Sequence, residues 1–258
     1  MSFNFGQMWT IASKEYKTYF TSPIAYVIIA GFLLIMGWTF FFNLDHVAQI
    51  TLQYRAMGGR VASITEGIVQ PVYGTMNVIF LFITPFITMR LFAEERKMQT
   101  IQLLMTSPVS VGEMLFGKYL SAVMLVATML LATSMYPVIL LKYSNADLGP
   151  IFTNYLGVFL MACCYLSSGI FFSATSENQI AAGAMTFAAG FFFWLINLAS
   201  QAAGPMMQVV LEYLSLNKHF SKFSMGIVNS SDVIFYLSFV ALGLFFTHRV
   251  LDSYRWRD

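Results

Sequence analysis

The densest group of ionisable side chains in this sequence lies within eight consecutive positions, residues 90–97. In a chain with a charged fraction of only 10%, these positions contain Arg90, Glu94, Glu95, Arg96 and Lys97. Carboxylate, guanidinium and ammonium groups form charge-assisted hydrogen bonds with complementary surfaces. Long apolar runs flank the group on both sides, so the sequence predicts a recognition element that is held at the end of two membrane spans.

The residues that follow the charges predict a helix, an elbow and a second helix. Apolar side chains recur there at helical spacing: Met98, Ile101, Leu104 and Met105. Ser107-Pro108 predicts the end of this helix, because proline disfavours the α region for the residue before it. Ser110 is followed three positions later by Glu113, which is the capping-box arrangement and predicts the start of the next helix. Such an element can be displaced from outside and can transmit the displacement to the spans.

No arrangement typical of a catalytic or metal site is found elsewhere in the sequence. The histidines His46, His219 and His248 are far apart and lack ligand spacing. There is no Ser/His/Asp pattern, HExxH motif or glycine-rich phosphate loop. Cys163 and Cys164 are adjacent in an apolar run, so a disulfide between them would be strained, and we predict that they are packing residues. The chain is predicted to be neither an enzyme nor a cofactor-binding protein.

The composition predicts an all-α polytopic membrane protein. Hydrophobic residues make up 58% of the chain and the mean hydropathy is +0.68, which excludes a water-soluble domain. After an N-terminal segment, residues 1–22, a single domain of residues 23–258 is predicted to hold six transmembrane helices: residues 23–42, 72–89, 119–141, 151–172, 180–198 and 232–249. Pro85 is expected to break the second span and Pro137 to kink the third. No acidic or basic residue falls mid-span, which argues against an ion-coupled carrier.

Three features of the connections can also be predicted. The polar stretch Asn43–Pro71 is expected to hold one short helix around Val47–Met57. Pro205–Leu216 is apolar but has only 12 residues, so a re-entrant or interfacial segment is expected, either lining an exit or filling the bundle. The last span is expected to have its N-cap within residues 230–232.

Residues 1–22 predict an interfacial amphipathic helix. One face carries aromatic and other apolar side chains: Phe5, Met8, Trp9, Ala12, Tyr16 and Tyr19. Lys14 and Lys17 fall on the opposite face. Aromatic side chains on one face and lysines on the other are typical of a helix that lies along the membrane surface. Whether this helix does more than anchor the chain stays open.

The distribution of lysine and arginine predicts the orientation in the membrane. If both termini are cytoplasmic, nine of the fourteen basic residues lie on the cytoplasmic side. The positive-inside rule favours this orientation. It also places residues 90–120 in the cytoplasm, where a nucleotide-driven partner would be.

Residues 94–121 carry a family resemblance. The sequence EER, a run of the type QTIQLLMTSPVS and then GKYLS resemble the cytoplasmic loop of ABC-2 type transporter permeases. Residues 172–182 and 219–226 resemble segments of the gliding-motility-associated branch of that family. The resemblance extends over nearly the whole chain.

The resemblance implies a permease subunit in the bacterial inner membrane that pairs with a second copy or a homologous permease. A separate ABC ATPase would bind ATP and Mg²⁺, and no cofactor would be bound by this chain. The coupling helix would begin at Glu94, with Glu94–Lys97 in polar contact with the ATPase. Three apolar side chains would fill the groove of the ATPase: Met98, Ile101 and Leu104. Ser107-Pro108 would pass the displacement to the third span. A second, smaller contact is expected at Glu177, Asn178 and Gln179.

Simpler and rival interpretations stay open at this point. Residues 94–97 can be a solvated loop that only sets topology, and residues 177–179 can be an ordinary turn. A different class of protein, a membrane scaffold that transports nothing and relays ATPase motion to a large membrane-anchored periplasmic protein, would have the same cytoplasmic loop. Members of the gliding branch are associated with such a second membrane protein. The partners expected are proteins and membrane lipid, and no nucleic acid.

Overall fold

The computed structural model describes residues 4–56, 65–99, 109–144 and 146–255. Within these ranges the chain is helical and contains no β-strand. The elements are a π-helical turn, Thr65–Val69, and eleven α-helices: α1 Phe5–Thr21, α2 Pro23–Ala56, α3 Gln70–Thr88, α4 Ala93–Lys97, α5 Val111–Thr133, α6 Met135–Tyr143, α7 Leu148–Thr175, α8 Gln179–Ala202, α9 Pro205–Leu214, α10 Leu216–Ser224 and α11 Ser230–Arg255.

Six segments of the described chain are long and apolar enough to cross a membrane. They are α2, the stretch from the π-helical turn to α4, α5 together with α6, α7, α8 and α11. The prediction of an all-helical polytopic protein with six spans is confirmed.

Helix α7 is the centre of the bundle. It packs against α3, α5, α8, α10 and α11. In its most apolar 18-residue stretch 72% is buried, compared with 22% in the corresponding stretch of α2 and 17% in that of α11. Gly169 on α7 lies so close to the side chain of Thr88 on α3 that a Cβ atom at position 169 would overlap it. Small residues allow helix backbones to approach closely in lipid. This contact holds the C-terminal parts of α3 and α7 together.

The separate short helix predicted around Val47–Met57 is wrong. Helix α2 instead continues without a break from Pro23 to Ala56, and Met57 lies outside the described residues. No glycine or proline occurs between Gly37 and Gly58. The polar side chains of this stretch bond along the helix: the Asn43 amide donates to the carbonyl of Thr39 at 2.7 Å. The predicted first span ended at residue 42, where the composition becomes polar, but the helix itself continues to Ala56.

The two prolines act differently from each other. The predicted break at Pro85 is wrong, because α3 continues through it to Thr88, and the helical hydrogen bonds resume with the amide of Met89 donating to the carbonyl of Pro85 at 2.9 Å. The third span, in contrast, is divided at Ser134 between α5 and α6. This is one turn before Pro137, where the proline ring clashes with the carbonyl four residues earlier.

The connection between the fifth and sixth spans contains two helices. Sequence reasoning predicted one segment, Pro205–Leu216, whereas the chain forms α9 up to Leu214 and then α10. Ser215 separates them and caps α10, since its hydroxyl accepts a hydrogen bond from the amide of Lys218 at 3.2 Å. Helix α9 buries none of its residues, while α10 buries four against the bundle. Helix α11 begins at Ser230, which puts its N-cap position at Asn229, one residue before the predicted range 230–232.

Candidate coupling site at one end of the bundle

The backbone amides at the start of α4 are hydrogen-bonded to a hydroxyl group of another span. The amides of Phe92 and Ala93 donate to Oγ of Ser173, at 3.0 and 3.2 Å, and Ser173 donates in turn to the carbonyl of Met89 at 3.3 Å. Free amides at a helix start need such acceptors. Because Ser173 is fully buried near the end of α7, these bonds fix the start of α4 on the central helix.

The Glu95 side chain of α4 points into a buried ion cluster. Nζ of Lys118, on α5, lies 2.7 Å from Oε1 of Glu95 and 3.3 Å from Oε1 of Glu15 on α1. The same ammonium group donates to the carbonyl of Leu91 at 2.6 Å. Lys118 is only 3% exposed, and a buried charge is tolerated only when it is paired in this way. The cluster joins α1, α4 and α5.

Arg96 makes a second set of contacts on the other flank of α4. Its Nη2 lies 2.8 Å from Oε1 of Glu177, and Nη1 donates to the carbonyl of Ala174 at 3.2 Å. The guanidinium carbon lies 4.6 Å from the centre of the Tyr254 ring, a cation–π distance. Tyr254 also donates to Ala174, at 3.4 Å. Arg96 therefore joins α4 to the end of α7, to the α7–α8 connection and to α11.

The opposite face of α4 is exposed. Glu94 and Lys97 are exposed, and Met98, directly after the helix, is 68% exposed. Gln99 has a φ of +56°, in the left-handed region that commonly ends a helix. Of the residues predicted to contact an ATPase, Glu95 and Arg96 are thus engaged within the chain, and Glu94, Lys97 and Met98 are accessible. Four of them lie outside the described residues: Ile101, Leu104, Ser107 and Pro108.

The predicted second contact lies next to the first. The side chain of Glu177 is 76% exposed while it pairs with Arg96. Asn178 caps α8, because its Oδ1 accepts a hydrogen bond from the amide of Ile180 at 2.9 Å, and Gln179 is the first residue of α8. We call the exposed side chains of Glu94, Lys97, Met98 and Glu177 the coupling surface. The prediction that these residues bind an ATPase stays a prediction, but the structure brings the two predicted contacts together.

The predicted capping box at the start of α5 is confirmed. The Ser110 hydroxyl accepts from the amide of Glu113 at 3.2 Å, and the Glu113 carboxylate accepts from the amide of Ser110 at 2.8 Å. The other carboxylate oxygen of Glu113 accepts from the amide of Asn4 at 2.6 Å. Asn4 is itself the N-cap of α1. One carboxylate therefore fixes the starts of two helices, which no local pattern indicated.

Helix α1 packs along α5. Tyr16 and Thr128 share a hydroxyl–hydroxyl hydrogen bond of 2.8 Å. Gly117 lets the two helices approach, because a Cβ atom there would lie 2.9 Å from the side chain of Ile11 and 3.0 Å from the carbonyl oxygen of Met8. Helix α1 is therefore packed directly on the third span.

The exposed surface of α1 carries side chains from both of its predicted faces. Trp9 is 55% exposed, and Lys14 and Lys17 are exposed. Tyr19 turns toward the bundle and donates to the carbonyl of Ile87 at 3.2 Å. Burial, with the nearby Glu15 carboxylate, raises the pKa of Tyr19. That the helix lies along a membrane surface stays a prediction.

Sequence reasoning missed Lys118 and Glu15 as functional residues. Lys118 was counted only as a basic residue at the edge of the third span, and the helix in fact begins seven residues earlier, at Val111. A signal was available: a single lysine on an otherwise apolar stretch of helix requires a carboxylate or carbonyl partner. Which carboxylate provides it depends on packing between elements 23 and 103 residues away in sequence.

A second polar cluster lies in the connection before the last span. Nδ1 of His219 is 2.6 Å from Oδ1 of Asp232, and Nζ of Lys222 is 3.2 Å from the same oxygen. The His219 ring stacks on Phe235 at 4.0 Å, and Tyr236 donates to the carbonyl of Leu216 at 2.8 Å. No group of three or more potential metal ligands occurs in the described part of the chain. This cluster ties α10 to the start of α11.

Six membrane-length segments, with a charged helix fixed between the second and third spans, define a multi-pass membrane protein. Comparison with known families agrees with this description: the family model described as ABC-2 family transporter protein matches residues 9–246. The chain therefore belongs to the ABC-2 transporter family and is a membrane permease of an ABC transporter. No curated protein matches it.

Proposed function

We propose that this chain is the permease subunit through which a separate ABC ATPase drives an ABC-2 transporter. The ATPase carries ATP and Mg²⁺ and binds the coupling surface, and this chain binds no cofactor of its own. The subunit lies in a bacterial inner membrane with both termini in the cytoplasm. Family membership supports the ATPase partner and the pairing with a second permease.

One observation carries the proposal: α4 is exposed on one face and bonded to the spans on the other. Lys118 connects it to the third span at 2.7 Å, and Ser173 connects it to the fourth at 3.0 Å. Arg96 connects it to the α7–α8 connection through Glu177 and to the sixth span through Tyr254. Short, partly buried ion pairs allow little relative movement of the groups that they join. A displacement of α4 by the ATPase is therefore passed to several spans at once.

Met98 provides the test. Met98→Asp puts a carboxylate into the contact, and burying it without a partner should reduce copurification of the ATPase about tenfold or more. Met225 is equally exposed, at 65% compared with 68%, and lies in the turn after α10. Met225→Asp is therefore the matched control and should leave assembly unchanged. Ile101→Asp and Leu104→Asp are expected to act like Met98→Asp. Undiminished assembly and ATP turnover in all three variants would count against the proposal.

The partner permease is proposed to pack on α2. Only 22% of the apolar window of α2 is buried, and large apolar side chains are exposed along one side: Leu34, Trp38, Phe41 and Phe42. A single Trp38→Cys substitution should give a disulfide-linked dimer on oxidation if the partner is a second copy. A monomer that resists cross-linking, together with a copurified homologous chain, would indicate a heterodimer.

The relay function is the second candidate, and α9 favours it. This helix exposes Met206 by 88% and Val209 by 70%, which provides a contact for a large membrane-anchored periplasmic protein. Residues 172–182 and 219–226 support the gliding-motility-associated branch, in which such a partner is expected. Solute movement in liposomes that contain this chain and its ATPase alone would exclude a pure relay. A Met206→Asp variant that loses the periplasmic protein and keeps the ATPase would support the relay.

A further inference from the structure

A cavity of about 250 Å³ lies at the α4 end of the bundle, between α1, α2, α3 and α5. It shares Glu94 with the coupling surface and Glu15 with the ion cluster, and its other lining residues belong to neither. Its walls include the start of α2 and the end of α3, so the cavity lies where the predicted membrane span meets its polar boundary. The chemistry of the walls indicates what it binds.

The walls change from polar to apolar along the span direction. At the end of the bundle Ile24 and Leu91 lie in the lining beside six side chains that are charged or carry hydroxyl groups: Glu15, Thr18, Thr21, Ser22, Arg90 and Glu94. Deeper in the bundle the lining is formed by Ile28 and Ile29 on α2, Phe86 on α3 and Leu125 on α5. At 1.5 Å per helical residue, the seven residues from Ser22 to Ile29 correspond to about 10 Å of depth. A polar group followed by hydrocarbon over this distance matches an amphiphile at a membrane boundary.

Two opposite charges at the polar end lack partners among the described residues. Arg90 is half-buried, and it makes no hydrogen bond or ion pair with the described part of the chain, nor does the carboxylate of Glu94. Glu15, in contrast, pairs with Lys118. The cavity therefore offers one free guanidinium group and one free carboxylate. Guanidinium groups bind phosphate through paired hydrogen bonds, and carboxylates accept from ammonium groups.

We propose that this cavity binds a zwitterionic phospholipid with an amine in its headgroup. The phosphate contacts Arg90 and the ammonium group contacts Glu94. The acyl chains leave the cavity along Ile28 and Phe86 toward the bilayer, and Phe86 is 54% exposed on that side. The bound lipid wedges between α1 and the start of α2. The proposal shares Glu94 with the coupling surface, but lipid retention by the purified chain is measured without an ATPase, so its failure is distinguishable from failure of the ATPase contact.

Lipid retention by the full-length protein tests the proposal. The protein is purified in mild detergent, mixed with phosphatidylethanolamine or phosphatidylglycerol, and examined by native mass spectrometry. We expect a preference for phosphatidylethanolamine, and Arg90→Gln should weaken its binding about tenfold or more. Glu94→Gln should remove the preference between the two lipids. Lys97→Gln is the matched control, because Lys97 is exposed on α4 and does not line the cavity.

Equal retention of the two lipids by the wild-type protein would overturn the proposal, as would wild-type retention by Arg90→Gln. Competition by free phosphoethanolamine as strong as that by the lipid would assign the site to a soluble anion and overturn the lipid assignment. Ile28→Trp fills the apolar part of the cavity and leaves both charges in place. Loss of the lipid in this variant is expected, and it tests the site even if Arg90→Gln does not fold.

Discussion

Replacing Lys118 with methionine removes the ammonium group that Glu95 and Glu15 share and keeps a side chain of similar length. Both carboxylates then lose this ion pair, and the carbonyl of Leu91 loses its donor. Removing one partner of a fully buried ion pair costs about 3–5 kcal/mol. The two carboxylate side chains are 21% and 24% exposed, so water reaches them, and we expect a loss of about 2–3 kcal/mol of unfolding free energy.

A double-mutant cycle with Glu95→Gln measures the interaction itself. The single variants and the double variant are compared by denaturant midpoint in lipid–detergent micelles. Contacting ion-pair partners show coupling energies of about 0.5–3 kcal/mol, whereas independent sites add within about 0.5 kcal/mol. Lys97→Met removes an exposed cation from the same helix and should change stability by less than about 0.5 kcal/mol. Additive effects of Lys118→Met and Glu95→Gln would refute the view that this pair fixes α4 to the third span.

Three further substitutions test other parts of the structure. Arg96→Lys keeps the charge but loses the forked guanidinium contacts, so ATPase binding should persist while stimulated ATP turnover falls at least about twofold; unchanged turnover would contradict the relay through Arg96. Gly117→Val should cost about 1–3 kcal/mol in thermal unfolding, because the added atoms meet Ile11; a neutral effect would contradict the close packing of α1 on α5. Asp232→Asn should cost about 1–3 kcal/mol, whereas Asp147→Asn, at a helix start without a side-chain cap bond, should be neutral; equal effects would contradict the cluster.

The parts of the fold that follow from local chemistry could be predicted from the sequence. The span count depends on the length of apolar runs, and the start of α5 depends on Ser110 and Glu113, which are three residues apart. The end of the first span could not be predicted in this way, because polar side chains from Asn43 onward bond along α2 and do not end it. A polar residue marks where a span leaves the hydrocarbon, and it does not mark where the helix stops.

Which face of α4 packs on the spans could not be predicted from the sequence, for a different reason. Five consecutive residues, Ala93–Lys97, make little more than one turn, so every face is represented and periodicity does not distinguish inside from outside. The partners that decide it, Ser173, Glu177 and Lys118, lie 23 to 81 residues away. The sequence prediction assigned Glu94–Lys97 to an external partner, and the structure adds that Glu95 and Arg96 bond within the chain.

The two polar clusters of the bundle differ in the sequence separation of the groups that they join. The bonds around α4 and the start of α5 connect residues up to 109 positions apart, and Lys118 and Glu15 are 103 positions apart. The bonds around Asp232 connect residues only 10 to 13 positions apart. The bonds around α4 thus join elements from the whole chain. Helix α10 is bonded not only to the start of α11 but also to α7, where the amide of Asn154 donates to the carbonyls of Phe223 and Ser224 at 3.4 and 3.3 Å. Helix α10 is therefore fixed to both α7 and α11.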